Sequence, residues 1–422
     1  MSRKLAIGFV AALALVVAMS SLGAAKVVIV NNWGTSLDLY KAIAEEFTKE
    51  TGIEVEFYHT EGSQARKWEN VITMIAGGTP PDLVAGISTE FVQFAAQDLI
   101  TPFDPYIERD ALDLSGLITP MLDALRWRNQ LYVAPWGASG QSLAYAPSKF
   151  AAAGLAEPPA TWGDPSWNWE AFVDAARRMT ERTPEGFVRQ WGHSNLGGWL
   201  DAGYNFGADW IDASLSQWTG SDEPMLTAIR EIQSLRWDHQ VVPGPSETAT
   251  LIDGNAGMQQ IGTWNYNQLI NAGAEWQLAP FPYYGDASPV GVIYPVGVTL
   301  LKEAPNKDEA WEFVKYITTR VDGNAAWADV AGALPVVVEN ILGWEAKFKG
   351  RAPEVNFMVF GEQANNFPAF VRIRKVSTFG EIERRMDAAW VQMMDEGASV
   401  DITMAELKPV LQALINEAVP EF

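Results

Sequence analysis

The chain has 422 residues, of which 48% are hydrophobic and 19% are charged, and its formal net charge is −22 at pH 7. This composition is typical of a folded globular protein and excludes a disordered one, and the length allows two or three domains. A surface this acidic repels nucleic acids and anionic lipids, so we expect neither as a partner. The chain contains no cysteine, so its stability must come from packing and not from disulfides.

Residues 1–25 have the pattern of a secretory signal peptide. Arg3 and Lys4 form a basic start, Leu5 to Met19 is an uncharged apolar run, and small residues follow up to the expected cleavage before Lys26. A membrane anchor is the alternative, but the run is shorter than the ~20 residues that a spanning helix needs. Cleavage removes two positive charges and gives −22 − 2 = −24. Since no cysteine can carry a lipid, we expect a free protein in the periplasm or outside the cell.

Strand and helix patterns alternate in the first third of the mature chain. An apolar run at 26–30, an alternating run at 53–57 and the short segment DLVAG at 82–86 predict strands, and stretches 37–50 and 68–75 have helical periodicity. This alternation predicts a parallel sheet covered by helices.

The rest of the chain contains more helix. Helices are predicted from about Asn168, which is the expected cap, and near 208–218 and 223–238. Two short strand-like runs flank a loop expected from Trp136 to Gln141, and strand character returns near 290. The chain ends in two helices, the second capped by Thr403. We therefore expect two α/β lobes that the chain crosses between more than once, with a ligand cleft between them.

The segment DGNAGMQQIGTWNYNQL, at 253–269, is an unusual place for a large aromatic residue. Trp264 follows a glycine and is surrounded by amides, beginning with Asn265. A sugar ring presents an apolar face and a belt of hydroxyl groups, and an indole beside amides matches both. The chain has 18 tryptophans in total. This segment therefore favours a carbohydrate over other small ligands.

The patterns of common catalytic and cofactor sites are missing from the sequence. His59, His193 and His239 are isolated, and there is no nucleophile elbow and no phosphate-binding loop. We therefore expect no metal, no cofactor and no catalytic residue. Carboxylates are plentiful, so a secreted glycoside hydrolase stays open as an alternative.

Five landmarks in a fixed order carry a resemblance to a known family. They are VVIVNNWGTSLDLYKAIAEEFTKETGIEVEF, GGTPPDLV, LYVAPWGASGQSLAYAPSKFAAAGL with the later PPATWGD, IDGNAGMQQIGTW, and APNKDEAWEFVKYITT with the later GALPV. In these landmarks the chain resembles the extracellular solute-binding proteins of ABC importers, in the group that takes up maltose and other oligosaccharides. The resemblance extends over essentially the whole mature chain.

The resemblance implies an α/β, two-lobed periplasmic-binding-protein fold, type II-like, with hinge crossovers and a C-terminal helical extension. Lobe I would comprise 26–138 plus 296–336, and lobe II would comprise 139–295 plus 337–422. It also implies a monomeric, non-enzymatic receptor that passes a carbohydrate ligand to an ABC permease.

The resemblance also implies where the ligand contacts fall. They would come from the loop after the first strand, the loop after the PPD strand, the crossover and the Gly-x-Trp motif. From these loops and from neighbouring residues with stacking or polar side chains, we predict the following ligand-binding residues: Trp33, Thr35, Ser88, Glu90, Trp136, Ser139, Trp199, Asp201, Trp264 and Asn265.

The chain departs from maltose binders at two of these loops. It has Gly34-Thr35 and Thr89-Glu90 where maltose binders carry Asp-Lys and Asp-Arg pairs. Maltose itself is therefore not assumed as the ligand. Glycerol-phosphate or another non-sugar solute is a second candidate, and an anionic ligand would need basic cleft residues, of which the named loops offer only Arg66.

Overall fold

The structure is a computed structural model that describes residues 26–32, 37–62, 64–366 and 368–420. The signal peptide expected at 1–25 lies outside the described residues. The strands are β1 (Lys26–Asn31), β2 (Glu54–His59), β3 (Leu83–Ile87), β4 (Ile100–Thr101), β5 (Arg126–Trp127), β6 (Gln130–Leu131), β7 (Ala134–Tyr145), β8 (Glu181–Arg182), β9 (Val188–His193), β10 (Ala256–Gly262), β11 (Gln277–Ala279), β12 (Gly291–Leu301), β13 (Leu334–Pro335) and β14 (Pro368–Ala369).

The α-helices lie on both sides of these strands. They are α1 (Leu37–Thr51), α2 (Gln64–Ala76), α3 (Val92–Ala96), α4 (Asp104–Arg109), α5 (Thr119–Ala124), α6 (Pro147–Ala152), α7 (Trp169–Met179), α8 (Glu223–Trp237), α9 (Tyr266–Ala272), α10 (Lys307–Thr318), α11 (Val321–Ala331), α12 (Ile341–Arg351), α13 (Met358–Asn366), α14 (Phe379–Glu396) and α15 (Val400–Glu417). Short 3₁₀ turns occur at Thr89–Phe91, Trp199–Asp201, Tyr204–Phe206, Thr263–Asn265, Val338–Asn340 and Arg372–Lys375.

Twelve of the described strands form one curled sheet, whose main path has the order β2-β1-β3-β12-β7-β10-β9-β8, with β4 and β14 beside β12 and β11 and β13 beside β7. Strands β5 and β6 form a separate two-stranded sheet. At one end, β1 pairs in parallel with β2 and β3, as the strand–helix–strand pattern predicts. Because this part of the sheet is covered on both faces, β1 and β3 are almost entirely apolar, and Val27, Ile29 and Leu83 are completely buried. At the other end, β10 pairs in parallel with β9 and antiparallel with β7.

Two long strands join the two halves of the sheet. The first part of β7, up to Gly140, pairs with β12, and the part from Gln141 onward pairs with β10. Strand β12 in turn begins beside β14 and ends beside β3 and β4. The two lobes therefore share continuous strands at their junction, which is the geometry that a hinge needs. The exact lobe boundaries stay a prediction.

Helix ends test the local predictions from sequence. The cap at Asn168 is confirmed, because its side chain accepts a hydrogen bond of 2.9 Å from the backbone N–H of Ala171. The cap predicted at Thr403 is wrong, because α15 begins one turn earlier with Ser399 as its cap. The helix predicted near 208–218 is also wrong: this segment is a loop closed by a bridge between Ile211 and Trp218.

That loop shows why periodicity misled the prediction. Trp210 and Trp218 have helical spacing, but both indoles pack into one aromatic cluster with Trp199. The backbone is held instead by Asp212, whose carboxylate accepts bonds from the N–H groups of Ser216 and Gln217. An aspartate that binds backbone groups a few residues ahead favours a turn over a helix.

Candidate binding cleft

A cavity of about 430 Å³ lies where β7 and β12 pass between the lobes. Its walls come from loops at the ends of strands in both lobes, which is where ligand sites form in open α/β sheets. Six of the predicted site residues line it: Ser88, Glu90, Ser139, Trp199, Asp201 and Trp264. Side chains separated by up to 176 positions in the sequence are thus brought to one cleft.

Trp264 is the most exposed aromatic residue of this cleft, with 50% of its surface accessible. It lies in the 3₁₀ turn after β10, between the fully buried residues Thr263 and Tyr266. Its indole lies so close to Gly262 that a Cβ atom there would be 2.2 Å from the ring. The buried neighbours fix the turn and the glycine makes room for the ring, so the indole presents its free surface to the cleft.

Asn265 supports the turn that carries Trp264. Its side-chain oxygen accepts a hydrogen bond of 3.0 Å from the backbone N–H of Gly262. Asn265 and Trp264 also line a second cavity of about 430 Å³, which continues past the indole toward Gln260 and Trp390. The indole thus lies between two cavities, each large enough for part of an elongated ligand.

Glu90 follows β3 and is buried at the wall of the cleft. One of its oxygens accepts from the backbone N–H of Ser88 at 3.2 Å, and the other lies 3.3 Å from the guanidinium of Arg374. Strand β3, just before Glu90, is held by Lys67, whose ammonium donates to the carbonyl of Ala85 at 2.6 Å. Burial lowers the pKa of Lys67 to about 7.

Asp201 ends the 3₁₀ turn Trp199–Asp201 and is held by two donors. The side-chain N–H of Gln141 donates to it at 2.7 Å, and the hydroxyl of Tyr294 donates to its other oxygen. Burial raises the pKa of Asp201, and these two hydrogen bonds act in the opposite direction. The carboxylate is therefore fixed in position by one residue from each crossing strand.

Arg374 is the basic group of this cleft. Its guanidinium lies 5.1 Å from the ring centroid of Tyr294 and pairs with Glu90. The carboxylates of Asp201, Glu383 and Asp387 surround it, and burial raises the pKa of Glu383. Carboxylates thus outnumber the guanidinium, so the cleft gives an anionic ligand little electrostatic support.

Trp199 contributes to the cleft from a buried position. Only 3% of its surface is accessible, and its indole N–H donates to Asp387 at 2.8 Å. It packs edge-on against Trp210 at 5.2 Å between ring centroids. Trp199 is therefore part of the wall beneath the cleft rather than an exposed stacking surface.

The structure does not bring Trp136 to the other predicted residues. Its indole is 3% accessible and belongs to the main hydrophobic core, and its backbone carbonyl accepts a bond of 2.7 Å from Asn324. The register of β7 with β12 shifts at Trp136, so the strand is irregular there and does not place this indole beside Ser139 by simple alternation. Trp33 and Thr35 lie outside the described residues.

Sequence reasoning missed several polar residues of the cleft. Gln141, Tyr294, Arg374 and Asp387 all line it, and none had been selected as a site residue. The loop expected from Trp136 to Gln141 is wrong, because this segment is part of the continuous strand β7. Gln141 lies two residues after the predicted contact Ser139, on the same face of the strand, which is the signal that could have found it. Tyr294 sits within an apolar strand run, and no pattern in the sequence marks it.

The described part of the chain was expected to hold no metal site, and two structural features bear on metal binding and on membrane insertion. In residues 26–32, 37–62, 64–366 and 368–420 there is no group of three or more His, Cys, Asp and Glu residues that could hold a metal ion. In the same residues no helix has both the length and the apolar character needed to cross a bilayer.

Comparison with known proteins places the chain in a family. Residues 33–322 match the model of the bacterial extracellular solute-binding proteins. The chain is 25% identical over 336 residues to the maltotriose-binding protein of Pyrococcus abyssi, a match that covers 75% of this chain and 68% of that protein.

Solved structures share the whole fold. The substrate-binding protein Lmo0181 of Listeria monocytogenes, solved with cycloalternan, superimposes with a TM-score of 0.79 at 18% identity, covering 93% of this chain and 98% of that one. The maltose-bound MalE3 of T. maritima gives a TM-score of 0.74 at 18% identity, covering 93% and 100%. These likenesses confirm the two-lobed periplasmic-binding-protein fold with C-terminal helices. The chain belongs to the bacterial extracellular solute-binding protein family.

Proposed function

We propose that this protein is the substrate-binding component of an ABC transporter and that it captures an oligosaccharide in the cleft between its lobes. The observation that carries the proposal is the half-exposed indole of Trp264, held over a cleft lined with carboxylates and amides. An aromatic face beside fixed hydrogen-bonding groups is complementary to a sugar ring. The related proteins named above bind maltotriose, cycloalternan or maltose, which supports the same class of ligand.

The polar groups of the cleft support recognition of hydroxyl groups. Asp201 and Glu90 are positioned by internal donors, and their carboxylates retain lone pairs that can accept from a ligand. The Ser88 hydroxyl has no hydrogen-bond partner among the described residues. A buried hydroxyl group without a partner is costly, and a hydroxyl-rich ligand can supply one.

Binding would act on the hinge. A ligand that contacts Glu90 in one lobe and Asp201 and Trp264 in the other is bound more tightly when the lobes are closed, so it shifts the population toward the closed form. We propose that the closed form docks on a membrane permease, that the protein acts as a monomer, and that it works outside the cytoplasm.

Tryptophan fluorescence and thermal unfolding test this function. Titration with maltose, maltotriose and mannobiose should change the emission of Trp264 and raise the midpoint of unfolding for at least one of them, because a ligand that binds only the folded state stabilises it. Absence of both effects with all three sugars would contradict the proposal.

Two competing functions predict different results. An anionic ligand such as glycerol-phosphate would require basic groups, but the cleft has several carboxylates around Arg374. A glycoside hydrolase would release reducing ends from a bound oligosaccharide during prolonged incubation. The receptor proposed here would leave the sugar intact.

A further inference from the structure

A second, smaller cavity lies behind the cleft, inside the second lobe. Its volume is about 90 Å³, and it is enclosed by β7, β9 and the helices α7 and α8. It shares Gln141, Gly198 and Asp201 with the main cleft, so the two spaces are adjacent. We call it the inner pocket. The proposed function makes no use of it.

The walls of the inner pocket are mainly aromatic and aliphatic. Trp169 packs against Phe172 at 5.2 Å and edge-on against Phe206 at 5.0 Å between ring centroids, and Ile232 closes another side. The indole N–H of Trp169 already donates to Glu231 at 2.9 Å. These walls therefore offer mainly apolar contact, and the exception is Nδ1 of His193, which is buried and has no hydrogen-bond partner among the described residues.

The polar residues at the mouth of the inner pocket are already paired with each other. Gln141 donates to Asp201 at 2.7 Å and accepts from Gln260. The side-chain oxygen of Asn195 accepts from the backbone N–H of Gly197 at 3.1 Å. The several hydroxyl groups of a sugar ring pushed past this mouth would lose their water and find only Nδ1 of His193 as an unpaired side-chain partner, which is unfavourable.

The one ionisable ring in the wall carries no charge at neutral pH. Burial lowers the pKa of His193 to about 4, so the imidazole is neutral. Its ring packs edge-on against Phe172 at 5.2 Å between centroids. The inner pocket therefore has no charged group with which to attract a phosphate or a carboxylate.

At the mouth, the backbone of Gly197 approaches the side chain of Gln260 very closely. Gly197 adopts a left-handed conformation, with φ of 69°, and a Cβ atom there would lie 2.6 Å from the side-chain oxygen of Gln260. A slender chain fits such an opening better than a whole pyranose ring does.

We propose that the inner pocket receives a short alkyl or acyl chain attached to the saccharide in the cleft, so that the preferred ligand is a substituted and not a plain oligosaccharide. This inference rests on the proposed function, since it requires a saccharide in the main cleft. It follows from the mainly apolar walls, the internally paired mouth and the adjacency of the two cavities.

Isothermal titration with a homologous series tests the inference. The series consists of maltotriose and its methyl, propyl, butyl and octyl glycosides, with mannobiose and its corresponding glycosides as a parallel set. We expect the affinity to rise by about fourfold for each methylene that enters the inner pocket and to level off when the pocket is full. A flat series, or one that keeps rising to the octyl glycoside, would overturn the inference.

Variants of Ile232 locate the effect. Ile232→Phe places a larger side chain in the inner pocket and should abolish the gain from the alkyl chain, while affinity for unsubstituted maltotriose stays the same. The matched control Ile232→Val keeps the pocket open and should keep the gain. A gain that survives in Ile232→Phe would show that the chain binds elsewhere, which contradicts the inference.

The two proposals fail in different ways. If maltotriose or mannobiose binds but its series is flat, the inference about the inner pocket is wrong and the proposed function stands. If no compound of either series binds, the proposed function loses its support and the inference fails with it.

Discussion

At the residue scale, recognition depends on how one indole is held. Trp264 is 50% accessible although Thr263 and Tyr266 beside it are fully buried, so the turn fixes the ring without covering it. Since the ring is already ordered before a ligand arrives, little conformational entropy is lost on stacking.

Replacement of Trp264 by alanine should weaken saccharide binding at least tenfold, because the stacking surface is removed. The free energy of unfolding should change by less than about 0.5 kcal/mol, since the side chain is half exposed. Titration calorimetry and urea unfolding measure the two effects. Trp237→Ala is the matched control, because Trp237 is 45% accessible and lines none of the cavities described here. Equal losses of affinity in both variants would contradict this role.

Gly262→Ala should also weaken binding, but indirectly. The backbone of Gly262 suits any residue, with φ of −99°, so the fold should be retained. The new Cβ would lie 2.2 Å from the indole, so Trp264 must leave its position. We expect altered tryptophan emission and a several-fold loss of affinity. In a double-mutant cycle, Gly262→Ala should cause no further loss of affinity when Trp264 is already alanine. An additive loss would be inconsistent with this explanation.

At the element scale, an ion pair joins turns from the two lobes. Glu90 belongs to the turn after β3, and Arg374 belongs to the turn before α14, which packs in the core of the second lobe. The two side chains are 9% and 19% accessible, so each needs the other to offset its loss of solvation.

Removal of one partner should therefore destabilise the protein. Glu90→Gln or Arg374→Met should lower the free energy of unfolding by about 3 kcal/mol, because a buried charge is left unpaired. The double variant should be more stable than the sum of the single losses implies. Urea unfolding of the four proteins gives the coupling energy directly. Strictly additive losses would show that the ion pair is not a functional contact between the turns.

Lys67, which binds strand β3 just before Glu90, makes the free energy of unfolding depend on pH. Its pKa is about 7 in the folded protein and 10.5 when solvated, so between these values the unfolded chain binds more protons. The free energy of unfolding should therefore rise with pH in this window. Relative to Lys67→Met, the free energy of unfolding of the wild type should rise by on the order of 1 kcal/mol or more between pH 7 and pH 9. Parallel profiles for the two proteins, measured by urea unfolding, would contradict this.

At the scale of the whole molecule, the fold could be predicted better than the site. The strand–helix alternation and the order of landmarks predict a two-lobed α/β protein, and the loops after β3 and β10 contribute Glu90 and Trp264 to one cleft. The partners Tyr294 and Arg374 could not be predicted, since they reach the cleft only through the crossing of distant segments. Trp136 shows a second limit of sequence reasoning. Its position near a crossover does not tell whether its side chain faces the cleft or the hydrophobic core.

The central claim is that a saccharide is held intact between the lobes against Trp264. A crystal structure of the protein with the tightest-binding oligosaccharide of the panel tests it most directly. The account predicts one sugar ring stacked on the indole of Trp264, hydroxyl groups within hydrogen-bonding distance of Glu90 and Asp201, and unbroken glycosidic bonds. A sugar bound outside this cleft, or cleaved within it, would contradict the account.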